Sequence, residues 1–528
     1  MPSPIKICLV ILDGWGIGRP NFSNPIYQAK TPYFEEIKKH FPFLSLQASG
    51  TTVGLPYGTP GNSEVGHLTI GTGQILYQYS VRISQSIEDK SFFQNPALLQ
   101  AYQQVKNNQS TLHLIGLLSD SVVHSSFDHL LALLDLAESL SIEKINLHLF
   151  LDGQDSSPFN GKKLITKLEE ELKKRGRGKI ASLSGRFYAM DNNGHFDRTA
   201  RYYQALTQGK GKIVPLPLQY IQDSYKQGIT DEFIAPALIG NPQHPELLGT
   251  IKDNDAIIMF NFQADNMRQL GEAFANDSHF NQFSFPKFQN LKIVTFTRYK
   301  QNFPFLVAFP PQKISVSLAQ LLSQKGKRQL HLAEAERSNH VTYFFDGLRK
   351  KPFPGEYWVI LPALQTFHPE DYPQLNAPAI TTRLAQAFEE NIYDFVLVNY
   401  ANPDIIGHTG NMEAGIKCAE FMDKEIKKVA ALAQKYHYSL IITADHGNME
   451  RMMNPLTGEI ETSHNTSLVP FYFLDSSHYS SNSRSSEEIQ KIERQAQGML
   501  ADVSPTILDF FGIPIPSAMI GQSLRPLL

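Results

Sequence analysis

The chain has 528 residues, 42% hydrophobic and 19% charged, a composition able to bury large cores in roughly two to four domains. Its 48 basic and 51 acidic residues nearly cancel at a net charge of −3, which leaves no polybasic surface for nucleic acid and no strong field for a membrane. A small anionic ligand therefore needs a local cluster of positive charge.

From the N-terminus, the apolar run Ile7–Leu12 reads as a buried strand that stops at Asp13. It is short and has no small-residue cleavage site, so it is not a signal peptide. No other apolar stretch approaches the ~20 residues of a membrane helix. The only cysteines, Cys8 and Cys418, sit in core-like segments. No disulfide framework is expected, and a reducing, cytoplasmic setting fits. Further strands are expected at Asn146–Leu151, Ala256–Phe260, Lys292–Phe296, Phe395–Asn399, Ser439–Thr443 and Val469–Leu474. Helical patterns fall between them, at Phe127–Leu140, Lys162–Arg175 and Met412–Lys435. This alternation predicts an α/β protein with parallel strands joined by helices. The proline-rich stretch Asn302–Lys313 can end a domain, and the serine-rich Ser476–Ser486 reads as a solvated loop. Asp502-Val503-Ser504-Pro505-Thr506 reads as the N-cap of a C-terminal helix with Pro505 at its first position.

Groups able to bind metal recur just past strand ends, where open α/β sheets place their sites. Asp13 follows the first strand, Asp404 and His408 follow Phe395–Asn399, Asp445 and His446 follow Ser439–Thr443, and His464 precedes Val469–Leu474. The four-residue spacing of Asp404 and His408 places both on one face of a helical turn. Three carboxylates and three imidazoles form a mixed O/N set that suits Mn²⁺ or Zn²⁺ better than Mg²⁺ or Ca²⁺. In Thr59-Pro60-Gly61-Asn62-Ser63-Glu64-Val65-Gly66-His67, Ser63 stands at a helix start, where its oxygen can act as a nucleophile beside a metal and the helix N-terminus favours phosphate. Each signal alone has an ordinary reading: Asp13 as a turn residue, Asp404 and His408 as a solvated helix face, Ser63 as an N-cap. Their coincidence at successive strand ends points to a dimetal phosphoryl-transfer site.

With these words on the page, the sequence resembles the cofactor-independent phosphoglycerate mutases of the alkaline phosphatase superfamily, from the first strand to the C-terminus. The resemblance is carried by Leu12-Asp13-Gly14-Trp15-Gly16, Gly61–His67, Val398–Asp404, Gly407-His408-Thr409-Gly410 and Ala444-Asp445-His446-Gly447-Asn448. It implies a phosphatase-like domain from residues 1–77 and 312–528, with a second α/β domain, 78–311, inserted into it. It implies one Mn²⁺ (Mg²⁺ or Zn²⁺ in its place) on Asp404, His408 and His464, and a second on Asp13, Ser63, Asp445 and His446. Ser63 then takes the phosphoryl group of 3-phosphoglycerate and returns it at the 2-position, with no bisphosphoglycerate. His124, Asp155 and Arg186 are implied to hold the glycerate and move its protons, and Arg337 stands where the family has an active-site lysine. A monomer acting on a small phosphorylated metabolite is expected.

The pattern departs at four positions. The resemblance implies arginine where this chain has Gln154, Asn192, Gln263 and Asn266. A hydrogen bond to a charged group contributes roughly 1.5–3 kcal/mol, so four losses weaken phosphoglycerate binding by orders of magnitude unless other cations such as Arg198, Arg201 and Arg268 compensate. Two readings follow: a mutase with altered substrate contacts, or a dimetal phosphohydrolase or phosphotransferase for a less anionic phosphorylated metabolite. A third, a non-catalytic relative, is opposed by the complete ligand set.

Overall fold

In the computed structural model, which describes residues 5–244, 248–275, 282–283 and 286–528, Ile7–Leu12 is buried along its whole length. Such a run is what a parallel strand needs when neighbours flank both edges and helices cover both faces. The chain divides into two compact units, Met1–Gln78 with Lys313–Leu528, and Tyr79–Gln312.

Among the described residues, the first unit contains one eight-stranded sheet. Its spatial order is Glu356–Leu361, Gln329–Glu334, Phe395–Tyr400, Ile7–Leu12, Ser439–Thr443, Val469–Leu474, Phe43–Gln47, Gly498–Met499. Ile7–Leu12 runs parallel to both its neighbours, Phe395–Tyr400 and Ser439–Thr443. The C-terminal ends of these three adjacent strands therefore lie side by side. Only Val469–Leu474 runs against its neighbours.

The second unit carries another eight-stranded sheet, in the order Leu306–Val307, Lys292–Thr295, Ala256–Met259, Leu112–Leu118, Ile145–Leu151, Lys179–Gly185, Ala237–Ile239, Lys212–Val214. Its one antiparallel pairing is Lys179–Gly185 with Ala237–Ile239. The α/β architecture expected from the alternation is present in both units. No helix among the described residues is long and apolar enough to cross a membrane, and Cys8 and Cys418 are buried free thiols.

Two expectations change. Pro505 is the third residue of the helix Val503–Phe510, not the first, because a 3₁₀ turn at Leu500–Asp502 enters it. It still lies in the first turn, where a missing N–H costs nothing. Asp502 sits at the N-cap, but its carboxylate accepts from Met499 N and Gln522 N instead of capping the helix. The strands Leu112–Leu118, Gln329–Glu334 and Glu356–Leu361 were not expected, since His113, Gln329, His331 and Glu356 interrupt their apolar patterns.

Polar residues inside the second sheet are paired across it. Asp255 Oδ2 lies 3.1 Å from His113 Nε2, His113 Nδ1 is 2.9 Å from His148 Nε2, and His148 Nδ1 is 2.9 Å from Ser182 Oγ. All four residues are buried. Burial holds both imidazoles below their ordinary pKa, His148 furthest. In the unfolded chain they titrate near 6.5. Their stabilising contribution is therefore whole above that pH and is lost as the pH falls through the lower folded values. Thermal melts of the intact protein should show the melting temperature falling from about pH 7 to about pH 5. The fall should be shallower in His148→Gln; an unchanged slope in that variant would refute this assignment.

Candidate active site

The helix Ser63–Thr72 begins where the Asn62 side chain accepts from Val65 N. Asn62 is thus the N-cap, and Ser63 is the first helical residue. The helix comes close to the loop after Ser439–Thr443 because residue 66 is glycine: a Cβ there would meet Asp445 O at 2.5 Å. Gly14, at φ +70°, lets the first strand's loop pass Asp404 in the same way, since a Cβ would lie 2.9 Å from Asp404 Cβ.

These approaches gather Asp13, Ser63, Asp404, His408, Asp445, His446, His464 and Arg337 into one cluster. Ser63 Oγ donates to Asp13 Oδ1 at 2.9 Å and lies 3.0 Å from His446 Nε2. His446 Nε2 is also 3.4 Å from Asp13 Oδ1 and 3.8 Å from Asp445 Oδ2. On the other side, Asp404 Oδ1 is 3.2 Å from His464 Nε2 and 3.4 Å from His408 Nε2, and the two nitrogens are 3.1 Å apart. Asp404 and His408 share one face of the helix Asn402–Gly407 and its C-cap. Arg337 spans the cluster, with Nε 2.9 Å from Asp13 Oδ2 and Nη2 2.5 Å from Asp404 Oδ2. Three residues join the cluster that the sequence reading quoted only as parts of motifs. Asn448 Nδ2 donates to Asp404 Oδ1 at 2.7 Å, Asn399 Nδ2 donates to Asp13 Oδ2 at 2.9 Å, and His67 Nδ1 lies 3.0 Å from Asp445 Oδ2.

The arrangement fits divalent cations. His408 Nδ1 donates to Thr462 O at 2.7 Å and His464 Nδ1 to Gly61 O at 3.0 Å. With Nδ1 so anchored, both Nε2 atoms point at Asp404 Oδ1, which is how backbone anchors aim metal-binding imidazoles. The two Nε2 atoms, 3.1 Å apart beside that carboxylate, form a donor set that fits a divalent cation. Asp445 Oδ2 is buried without a hydrogen-bond donor. The titration behaviour points the same way. Burial disfavours the charged form of His446, yet Asp445, Asp13 and Asp404 hold its pKa up to about 10. Burial likewise opposes ionisation of Asp13 and Asp404. It is overcome chiefly by Arg337 and His446 at Asp13, and by His408, His464 and His446 at Asp404, so both stay below the usual carboxylate range. The site demands positive charge.

In the second unit, Arg186 organises a smaller cluster. Its Nη1 donates to Asp152 Oδ1 at 2.7 Å and to Asp155 Oδ2 at 2.5 Å, and its Nη2 donates to His124 Nε2 at 2.9 Å. A guanidinium only donates, so His124 carries its hydrogen on Nδ1, a buried atom with no partner. Burial and then Arg186 push the His124 pKa down, favouring the neutral ring. Ser119 Oγ donates to Asp152 Oδ2 at 2.6 Å. Asp152, absent from the expected site, pairs with Arg186 alongside Asp155.

The amide side chains have other partners or face solvent. Gln154 Nε2 donates to Glu232 Oε1 at 2.6 Å, Asn266 Nδ2 reaches Met190 O at 3.4 Å, and Asn192 and Gln263 are exposed. Two of the three arginines offered as compensation are engaged elsewhere. Arg198 binds Asp191 at 2.9 Å with its guanidinium 3.9 Å from the Phe187 ring centroid, and Arg268 binds Asp265 at 2.7 Å. Arg201 is exposed.

A serine set among carboxylates and imidazoles at the C-terminal ends of a parallel sheet defines an α/β enzyme with a candidate dimetal phosphoryl-transfer centre. A family model described as the BPG-independent PGAM N-terminus matches residues 83–301. The 2,3-bisphosphoglycerate-independent phosphoglycerate mutase of Thermomicrobium roseum is 42% identical over 525 residues, covering 99% of this chain and 98% of that protein. The protein of the same name from Moorella thermoacetica is 40% identical over 519 residues, 98% of each. Among solved structures, a Leishmania mexicana phosphoglycerate mutase determined at low cobalt concentration superposes with a TM-score of 0.53 at 26% identity, covering 98% of this chain and 97% of that one. This chain belongs to the 2,3-bisphosphoglycerate-independent phosphoglycerate mutases.

Arg337 is the counter-charge of two buried carboxylates, and removing one partner of a buried ion pair costs about 3–5 kcal/mol. Urea unfolding of metal-stripped Arg337→Met should show a loss of that order. Added divalent cation should restore most of it. An equal loss with and without cation would mean that Arg337 and the cation do not share a role.

Proposed function

We propose that this chain interconverts 3-phosphoglycerate and 2-phosphoglycerate, without bisphosphoglycerate, by passing the phosphoryl group through Ser63. The observation that carries the proposal is the hydrogen bond from Ser63 Oγ to Asp13, made beside His446 at the mouth of a helix N-terminus, in a chain of this mutase family. Asp13, Ser63, Asp445 and His446 would hold one divalent ion, and Asp404, His408 and His464 the other. The O/N donor set favours Mn²⁺, with Zn²⁺ or Mg²⁺ as substitutes. Bound there, such ions lower the pKa of the hydroxyl and neutralise charge on the phosphoryl oxygens.

The chain's own groups perform the rest. Asp13 receives the hydrogen of Ser63 and orients its oxygen for in-line attack, with the helix N-terminus favouring the incoming anion. Arg337 offers a guanidinium to the phosphoryl oxygens. On the glycerate, Asp155 takes the proton of the attacking hydroxyl and the neutral His124 passes protons between the 2- and 3-oxygens. Arg186, steadied by Asp152, binds the glycerate's anionic group. The substrate is a small phosphorylated metabolite. The near-balanced net charge suits neither nucleic acid nor membrane as partner, the buried free thiols suit a reducing compartment such as the cytoplasm, and the family resemblance suits a monomer.

Phosphorus NMR of the Mn²⁺-loaded protein with 3-phosphoglycerate should show the 2-phospho isomer. Free phosphate as the sole product would mean a hydrolase instead. Ser63→Ala should abolish the conversion while leaving the far-ultraviolet circular dichroism unchanged, and near-normal turnover in it would sink the seryl route. Chelator treatment should remove activity and Mn²⁺ should restore it; full activity in the stripped protein would refute the dimetal reading.

A further inference from the structure

His67 lies one helical turn after Ser63, is completely buried, and has no part in the proposed chemistry. Its surroundings fix its chemical state. Nδ1 lies 2.9 Å from Ser63 O and 3.0 Å from Asp445 Oδ2. Both are acceptors, so Nδ1 carries a hydrogen; the carbonyl takes it, and the polarised N–H edge faces the carboxylate oxygen. Nε2 lies 3.0 Å from Asn399 Nδ2, which also donates to Asp13 Oδ2 at 2.9 Å. An amide nitrogen only donates, so Nε2 accepts and the ring is neutral in a single tautomer. Turning the Asn399 amide over would set its oxygen against the Asp13 carboxylate, which fixes its orientation too.

Hydrogen bonds therefore run Asp13–Asn399–His67 and on to the Ser63 carbonyl, and the N–H edge of His67 approaches Asp445 Oδ2 at 3.0 Å. Asp13 and Asp445 come from the loops after two neighbouring strands, Asn399 from a third strand and His67 from the nucleophile's own helix. We propose that His67 and Asn399 are positioning residues that hold Asp13 and Asp445 in register with Ser63, so that these three groups bind their divalent ion as one preformed set. The proposal rests on the ligand assignment made above. Second-layer partners of this kind typically set metal affinity by about 10–100-fold. His67 leaves Asp445 Oδ2 without a donor of its own, so that oxygen is placed yet keeps its lone pairs.

The test is Mn²⁺ binding to the metal-stripped, full-length protein, followed by calorimetry and by the electron paramagnetic resonance of free Mn²⁺. His67→Phe keeps the ring and its packing against His340, 5.4 Å away between centroids, and removes both nitrogens. It should weaken one of the two binding events by about 10–100-fold and leave the other unchanged. Saturating Mn²⁺ should recover kcat. His67→Asn, which retains a donor near the Nδ1 position, should restore most of the affinity. Asn399→Ala should weaken the same event and decides the matter should His67→Phe not fold. A wild type that binds two ions alongside variants that bind both equally well, with only a lowered melting temperature, would overturn this inference alone. A wild type that does not bind two ions would overturn the dimetal reading and this inference with it.

Discussion

Three carboxylates brought together in a dry place govern the architecture of the first unit. Asp13, Asp404 and Asp445 are each almost wholly buried. They follow three adjacent parallel strands, so the sheet itself delivers them to one edge. Charge of one sign at such burial is costly unless it is neutralised or coordinated. Every other feature of the cluster answers that requirement. Arg337 bridges two of the carboxylates, His446 is driven toward its charged form, and the imidazoles of His408 and His464 turn their Nε2 atoms to Asp404. The nucleophile is seated by the same constraint, because the glycine at 66 that lets its helix approach Asp445 also sets Ser63 against Asp13.

The second unit solves a different problem with fewer charges. Arg186 is its one central guanidinium, and two carboxylates already engage it. Gln154 and Asn266 are turned to the protein's own oxygens, and Arg198 and Arg268 to acidic partners. The cluster thus sets one guanidinium against two carboxylates. Its capacity to attract an anion depends on how readily Asp152 and Asp155 give up the guanidinium. This makes the glycerate side the place where this chain is set apart from the pattern its sequence otherwise follows so closely.

How much of this was legible in the sequence follows from the range of each signal. Asp13, Asp404 with His408, and Asp445 with His446 sit beside strongly apolar runs, so local pattern was enough to find them. The expected ends of Phe395–Asn399 and Phe127–Leu140 moved by one residue. Strands built around buried polar residues escaped, because His113 and His331 interrupt the apolar pattern until their partners, Asp255 and the Val341 carbonyl, are known. Asn399 and His67 lay within the motifs that carry the resemblance, and Asp152 three residues before Asp155, but none carried a signal of its own. Their partners lie tens to hundreds of residues away, and only the folded chain shows that each touches a group that does chemistry.

His67 also shows how closely the carboxylates beside Ser63 are held. A ligand that faces solvent can relax around a new ion by moving its own side chain. Here each carboxylate near Ser63 is held by something that is itself held: Asp445 by Gly14 N and the His67 ring, Asp13 by Asn399 and Arg337, and His67 by the carbonyl of the nucleophile. A shift of any one member is passed to the next through these contacts. The Ser63 hydroxyl and the carboxylates around it therefore occupy one geometry, set by the fold itself.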